Sequence, residues 1–256
     1  MTTARIRQLS GVDELVEVSG RDPYVRAETN PARIHSTWAH DDGAVAWAVP
    51  SRHVPGRTHV TTVGKSEPAT DLLRHLVDDR GLDVGSVTLP RDADRHLPAG
   101  WLLRPRNDWE WFVTDEPPPQ QPGEEKAAWL DGYPDEPLVE FLRRWSPRHD
   151  AEPGQRGVLR WAGILGDDGS LRATAAHVEH VPGVPHLASI VSSGEHRGQG
   201  LGAAVTAWIT RTLLAEGTGW VTLGMYSDND VARRMYHRLG YRCDHFFTSG
   251  GLIRRS

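Results

Sequence analysis

Arg197 is followed by three alternating glycines, Gly198, Gly200 and Gly202, in the stretch GEHRGQGLG (194–202), and an apolar pattern begins straight after. Glycines let a backbone approach a ligand closely and accept positive φ without a Cβ clash. A helix starting there would present unpaired N–H groups and the positive end of its dipole, both suited to a pyrophosphate. The Arg197 guanidinium would add charge-assisted bonds to phosphate. The bland alternative is a glycine-rich strand-to-helix turn. A dinucleotide fingerprint is the weaker reading, because it needs G-x-G-x-x-G in the first βα unit and this pattern comes late with other spacing. Gly64-Lys65-Ser66 lacks the upstream glycine of a P-loop.

A second constellation is SDNDVARRMYHRLGY (227–241). Asn229 and Tyr236 are seven positions apart, so a helix returns them to nearly the same side. Tyr236 is either a proton donor or a core tyrosine on a stripe with Ala232 and Leu239. Asn229 is either a ligand contact or a helix N-cap, a role open to Asp228 and Asp230 too. Glu179, His177, His180 and His186 are the candidate bases. Along a strand His177 and Glu179 share one face and His180 takes the other. The same alternation separates the rings of an H-x-x-H pair, and Cys243 is the only cysteine, so no metal site is expected.

These residues need elements to hold them. The strand HLASIVSS (186–193) runs into the glycine stretch. Leu201, Val205, Trp208, Ile209 and Leu213 recur at helical spacing, which predicts a helix from about 200 to 216. A strand WVTLGMY (220–226), a helix over 228–239 stopping at Gly240, and a strand YRCDHFFTS (241–249) follow. Upstream lie the amphipathic helix EPLVEFLRRW (136–145) and the strands VLRWAGILG and LRATAAHVEHV, joined by the turn sequence DDGS. The first half offers strands at 44–50, 59–64, 84–90 and 109–114 around the helical pattern ATDLLRHLVDD (69–79). Between the halves, DEPPPQQPGEE (115–125) reads as an extended, solvated linker. The expected layout is an N-terminal α/β domain over 1–114, a linker over 115–124 and a second domain over 125–256. The fold class is α/β (α+β), a mixed sheet with helices on its faces.

The 256 residues carry a formal charge of −5 with no Lys/Arg run, which argues against nucleic acid as a partner. No apolar run approaches the roughly 20 residues of a membrane helix, and the N-terminus lacks the apolar core of a secretory signal. A cytoplasmic protein without membrane contact is expected, as a monomer or homodimer.

Together RGQGLG (197–202) and NDVARRMYHRLGY (229–241) resemble the two cofactor segments of the GCN5-related N-acetyltransferase family, known as GNAT, in order, spacing and expected elements. Gly194 stands where the family often has proline. The resemblance covers about residues 125–256 and implies a mostly antiparallel central sheet flanked by helices, acetyl-CoA as co-substrate and a small-molecule amine or peptide as acceptor. It implies that the backbone at Arg197, Gly198, Gln199, Gly200, Leu201 and Gly202 holds the pyrophosphate. Val191 and Ser192 would lie along the pantetheine, Asn229 would touch the cofactor, and Tyr236 would protonate the thiolate. Glu179 is the candidate base. The first half parallels the late order of elements without a glycine cradle, as a degenerate GNAT-like domain would; an unrelated cap domain is the alternative. An acyl-CoA-binding module without turnover is the alternative, and a nucleotide-binding protein a third reading.

Overall fold

The computed structural model describes residues 6–52 and 54–255; the first five residues of the N-terminal stretch weighed above as a secretory signal lie outside them. In chain order the elements are β1 (Ile6–Gln8), α1 (Val12–Val18), α2 (Pro23–Glu28), β2 (Ser36–His40), β3 (Ala44–Pro50), β4 (Thr58–Gly64), α3 (Ser66–Arg74), β5 (Val84–Pro90) and β6 (Trp101–Thr114). They continue with β7 (Ala127–Trp129), α4 (Asp135–Trp145), β8 (Val158–Leu165), β9 (Leu171–Glu179), β10 (Pro185–Ser192), α5 (Leu201–Ala215), β11 (Val221–Tyr226), α6 (Asp230–Arg238) and β12 (Arg242–Arg254). Among the described residues no helix is long and apolar enough to cross a membrane.

Two compact units form. The first gathers the described residues up to Trp111 with 226–228 and those from Asp244 on; the second holds 112–225 and 229–243. The linker thus groups with the second unit, and most of the last strand with the first. In the first unit the strands lie in the order β1-β2-β3-β4-β5-β12, antiparallel except for the parallel pair β4/β5. In the second the order is β11-β10-β9-β8-β7, antiparallel except for the parallel pair β10/β11. Each unit therefore repeats one plan: an antiparallel run of four strands, a helical crossover, and a parallel strand beside the last of the four.

Strand alternation builds the core of the second unit. Ala173 and Ala175 of β9 join the cluster under α5 and α6, which holds Leu187, Val205, Ile209, Leu213, Leu223 and Tyr236. Ala176 and Val178 point the other way, into a cluster with Leu138, Phe141 and Leu142 of α4 and with Val191. A fully buried leucine such as Leu213 contributes about 2 kcal/mol through lost apolar surface. The buried hydroxyls of α5 are satisfied within the helix, Thr206 Oγ1 donating to the Gly202 carbonyl at 2.7 Å. The proline-rich segment is fastened to this helix. Arg211 donates to the Pro118 carbonyl at 2.7 Å and pairs with the buried Glu124 carboxylate. An arginine in mid-helix is what holds a segment that the sequence alone reads as solvated.

Candidate functional site

The parallel pair β10/β11 is registered only at His186↔Thr222 and Leu187↔Leu223. Beyond Leu187 the two strands have no further registered partners in each other among the described residues, although β10 runs on to Ser192 and β11 to Tyr226. On its other side β10 stays paired with β9, but with one extra residue. Ala188 faces Ala176 and Val191 faces Thr174, so Ser189 and Ile190 form a bulge. Ser189 has φ 48, a left-handed conformation rare for a residue with a side chain. The outcome is a slot beside β10 whose backbone is partly freed from both neighbours.

At the end of this slot comes the glycine stretch. Gly198 and Gly200 take φ 78 and 81, and open space surrounds the position of a Cβ at each. Conformation, not crowding, is what requires glycine there. Gly200 caps α5, and the first intrahelical bond runs from Ala204 N to the Gly200 carbonyl at 2.9 Å. Among the described residues the amides from Gly198 to Ala203 donate to no protein acceptor. They gather at the positive end of a 15-residue helix, a geometry that favours an anion. Gln199 is exposed and Leu201 begins the apolar face of α5. Gly202 is needed for proximity: a Cβ there would sit 3.2 Å from Ser192 Oγ and 3.7 Å from Met235 Sδ. So the end of β10, the start of α5 and the helix carrying Tyr236 meet at Gly202.

Two residues that the sequence did not single out shape this loop. Trp145, the last residue of α4, lies so close to Gly194 that a Cβ would collide with its indole ring. Glycine at position 194 therefore admits a tryptophan. The Trp145 carbonyl in turn accepts from the exposed Arg197 guanidinium at 3.3 Å. Ser193, buried, pairs its hydroxyl with His196 Nδ1 at 2.7 Å, closing the turn that leads into the glycines.

On α6 the two singled-out residues play different parts. Asn229 is exposed and caps the helix, its side chain accepting from Ala232 N at 3.1 Å. Tyr236 is 4% exposed, packed against Phe112 and Tyr241. Its hydroxyl has no hydrogen-bond partner among the described residues, and burial pushes the phenol well above its ordinary pKa. It is protonated at neutral pH.

Val191 turns its side chain into the core under α4, so what it offers the slot is backbone. Glu179 ends β9 opposite Pro185, at the hairpin end of the strand pair. Five residues of strand separate it from Thr174, the partner of Val191, roughly 17 Å at 3.4 Å per residue. Its carboxylate accepts from Gly183 N at 2.8 Å and stands 3.5 Å from His177 Nε2. The structure does not bring Glu179 to the glycine loop; it joins a cluster with His177, Arg160 and Glu216 at the far end of α5. Burial pushes the His177 imidazole below its ordinary value. His186 bonds Thr222 at 2.9 Å and stacks on His180 at the same end of β10. One trio of metal-ligating type, Asp22, Asp244 and His245, lies in the first unit. There His245 Nε2 lies 3.0 Å from an Asp22 carboxylate oxygen and 3.3 Å from one of Asp244.

Comparison with known proteins agrees with this geometry. Residues 163–247, about a third of the chain, match the family model described as FR47-like protein. Among solved structures, a GCN5-related N-acetyltransferase from Sphaerobacter thermophilus is similar at 17% identity and TM-score 0.60, over 99% of this chain and 96% of that one. An acetyltransferase of the GNAT family from Colwellia psychrerythraea is similar at 12% identity and TM-score 0.51, over 96% and 99%. A tandem GNAT protein from the clavulanic acid biosynthesis pathway is similar at 14% identity and TM-score 0.50, over 97% and 98%. No curated protein matches in sequence. The chain has the GNAT fold, and the likeness extends over both units.

Proposed function

We propose that the second unit is an acyl-CoA-dependent N-acyltransferase, with acetyl-CoA as donor and a primary amine, on a small molecule or a peptide, as acceptor. The observation that carries this reading is the row of unpaired amides from Gly198 to Ala203 beside a parallel strand pair that opens after Leu187. Acyl-CoA supplies, when bound, a thioester with a thiolate leaving group. The amides and the Arg197 guanidinium take the pyrophosphate, where preorganised donors and a helix terminus both favour negative charge. The backbone around Val191 and Ser192 lies along the pantetheine and offers N–H to the thioester oxygen. The amine nitrogen bonds to the acyl carbon as the carbon–sulfur bond breaks. Tyr236, kept protonated by burial, gives its proton to the departing sulfur and regains one from solvent. An alkyl ammonium has a pKa near 10 and must lose a proton before attack. Water receives that proton in this reading, because Glu179 stands at the other end of β9.

A second reading, an acyl-CoA-binding module without turnover, draws on two observations. Tyr236 is enclosed among Phe112 and Tyr241, and no carboxylate of the sequence-derived set stands at the loop. Calorimetric titration of acetyl-CoA into the wild-type protein and Gly200→Trp tests the shared premise, with NAD and ATP as controls. Position 200 needs φ 81, so the variant distorts the cradle. Binding on the order of micromolar, about −8 kcal/mol, and weakened at least about tenfold in Gly200→Trp, is expected. Folded wild-type protein that ignores acetyl-CoA would overturn both readings. An amine screen with wild type and Tyr236→Phe then separates them: turnover that drops in the variant identifies the enzyme.

A further inference from the structure

We infer that Ser189 is a positioning residue: its hydroxyl clasps the backbone of Ala151 and so holds the β10 bulge in the form that offers N–H to an acyl thioester. The inference rests on the acyl-CoA reading of the slot. Ser189 Oγ accepts from Ala151 N at 2.9 Å and donates to the Ala151 carbonyl at 3.0 Å. One hydroxyl thus satisfies both backbone groups of a residue that is 2% exposed, in place of a strand partner. Unlike a surface serine bond, this clasp leaves two buried backbone groups unpaired if it is removed.

The geometry requires such a hold. With φ 48 at a residue bearing a Cβ, the bulge sits in a conformation that persists only when neighbours enforce it. The loop that supplies Ala151 is itself braced. His149 has Ser146 O at 2.8 Å from Nδ1 and Glu152 Oε1 at 2.8 Å from Nε2. Glu152 N donates to Gln155 Oε1 at 3.0 Å, and Arg143 of α4 faces the Glu152 carboxylate at 3.7 Å. The clasp therefore ties the bulge to a loop fixed on α4 and the core beneath it, where Ala151 packs with Leu138 and Val191. Relaxation at Ser189 would let the bulge change shape, its extra residue retained, and re-aim the β10 backbone beside the slot.

The test compares acetyl-CoA with CoA, ligands that share the pyrophosphate and differ at the thioester. Both are titrated into wild type, Ser189→Ala, Ser189→Gly and Ser189→Thr, with thermal melts alongside. Loss of one oriented hydrogen bond predicts that Ser189→Ala and Ser189→Gly bind acetyl-CoA about tenfold more weakly while CoA affinity stays within about twofold. Ser189→Thr, which keeps the hydroxyl but strains φ 48 with a branched Cβ, should melt lower yet keep a ratio nearer the wild-type value than Ser189→Ala does. Glycine adopts φ 48 freely, so it carries the comparison if the alanine variant fails to fold. An unchanged ratio in Ser189→Gly overturns the role of the clasp, as does an equal loss of both ligands. Wild-type protein that binds neither ligand overturns the acyl-CoA reading, and the inference falls with it.

Discussion

Asn229 and Tyr236 sit on one helix seven positions apart, yet the structure gives them different work. The Asn229 side-chain oxygen satisfies Ala232 N, one of the orphan donors of the first turn of α6. That bond accounts for the residue type without any ligand. Asn229→Ala should lower stability by about 1 kcal/mol, as cap removal typically does, with acetyl-CoA affinity within about twofold of wild type. Urea unfolding and titration measure the two effects separately. A tenfold loss of affinity at unchanged stability would instead make Asn229 a cofactor ligand. Tyr236 is the reverse case: its hydroxyl has no partner among the described residues although its ring is buried, so packing accounts for the ring and leaves the oxygen for chemistry.

At the scale of elements, what could be read from sequence was what local rules govern. The α5 helix follows from apolar spacing, its start from Gly198 and Gly200 at positive φ, and the end of α6 from Gly240 at φ 88. The bulge in β10 has no such signature, because Ser189 is held by a residue 38 positions earlier. Gly194 looks like a missing proline until Trp145, 49 residues upstream, is found against it. Alternation did place His177 and Glu179 on one face of β9, and their 3.5 Å separation agrees; it says nothing of where along the slot that face lies. The same cluster gives β9 a pH dependence. Burial lowers the His177 pKa from 6.5, opposed by Glu179 and joined by the nearby Arg160. The unfolded chain then binds a proton more readily than the folded one. Stability from this group is full above pH 6.5 and is lost as pH falls toward the lowered folded value. The melting temperature should therefore decline between pH 7 and pH 5, and by less in His177→Asn. Equal declines in the two proteins would remove His177 from the account.

For the whole molecule, the repeated plan raises the question of whether each unit takes a donor. Across β4/β5 the parallel pair stays registered at four positions, from Thr58↔Val84 to Thr61↔Thr88. His59 bridges it, with Ser86 Oγ at 2.8 Å and Thr88 Oγ1 at 3.3 Å from its two ring nitrogens. The chain of polar contacts continues from Thr88 to Ser249 at 3.0 Å and from Ser249 to Trp109 at 2.6 Å. Side chains thus occupy and stitch the place that β10/β11 leaves open. The link into α3 is also short. Gly64 packs against Gly43 and Ala44, and Lys65 caps the helix directly, so no row of free glycine amides precedes it. On the proposed reading, a repeat that keeps the strands and crossover but closes the slot would keep the fold without the donor site. Titration should accordingly saturate at one acetyl-CoA per chain and fall toward none in Gly200→Trp. Two equivalents, with one surviving in that variant, would mean that the stitched pair in the first unit opens and that the contrast between the halves is not functional.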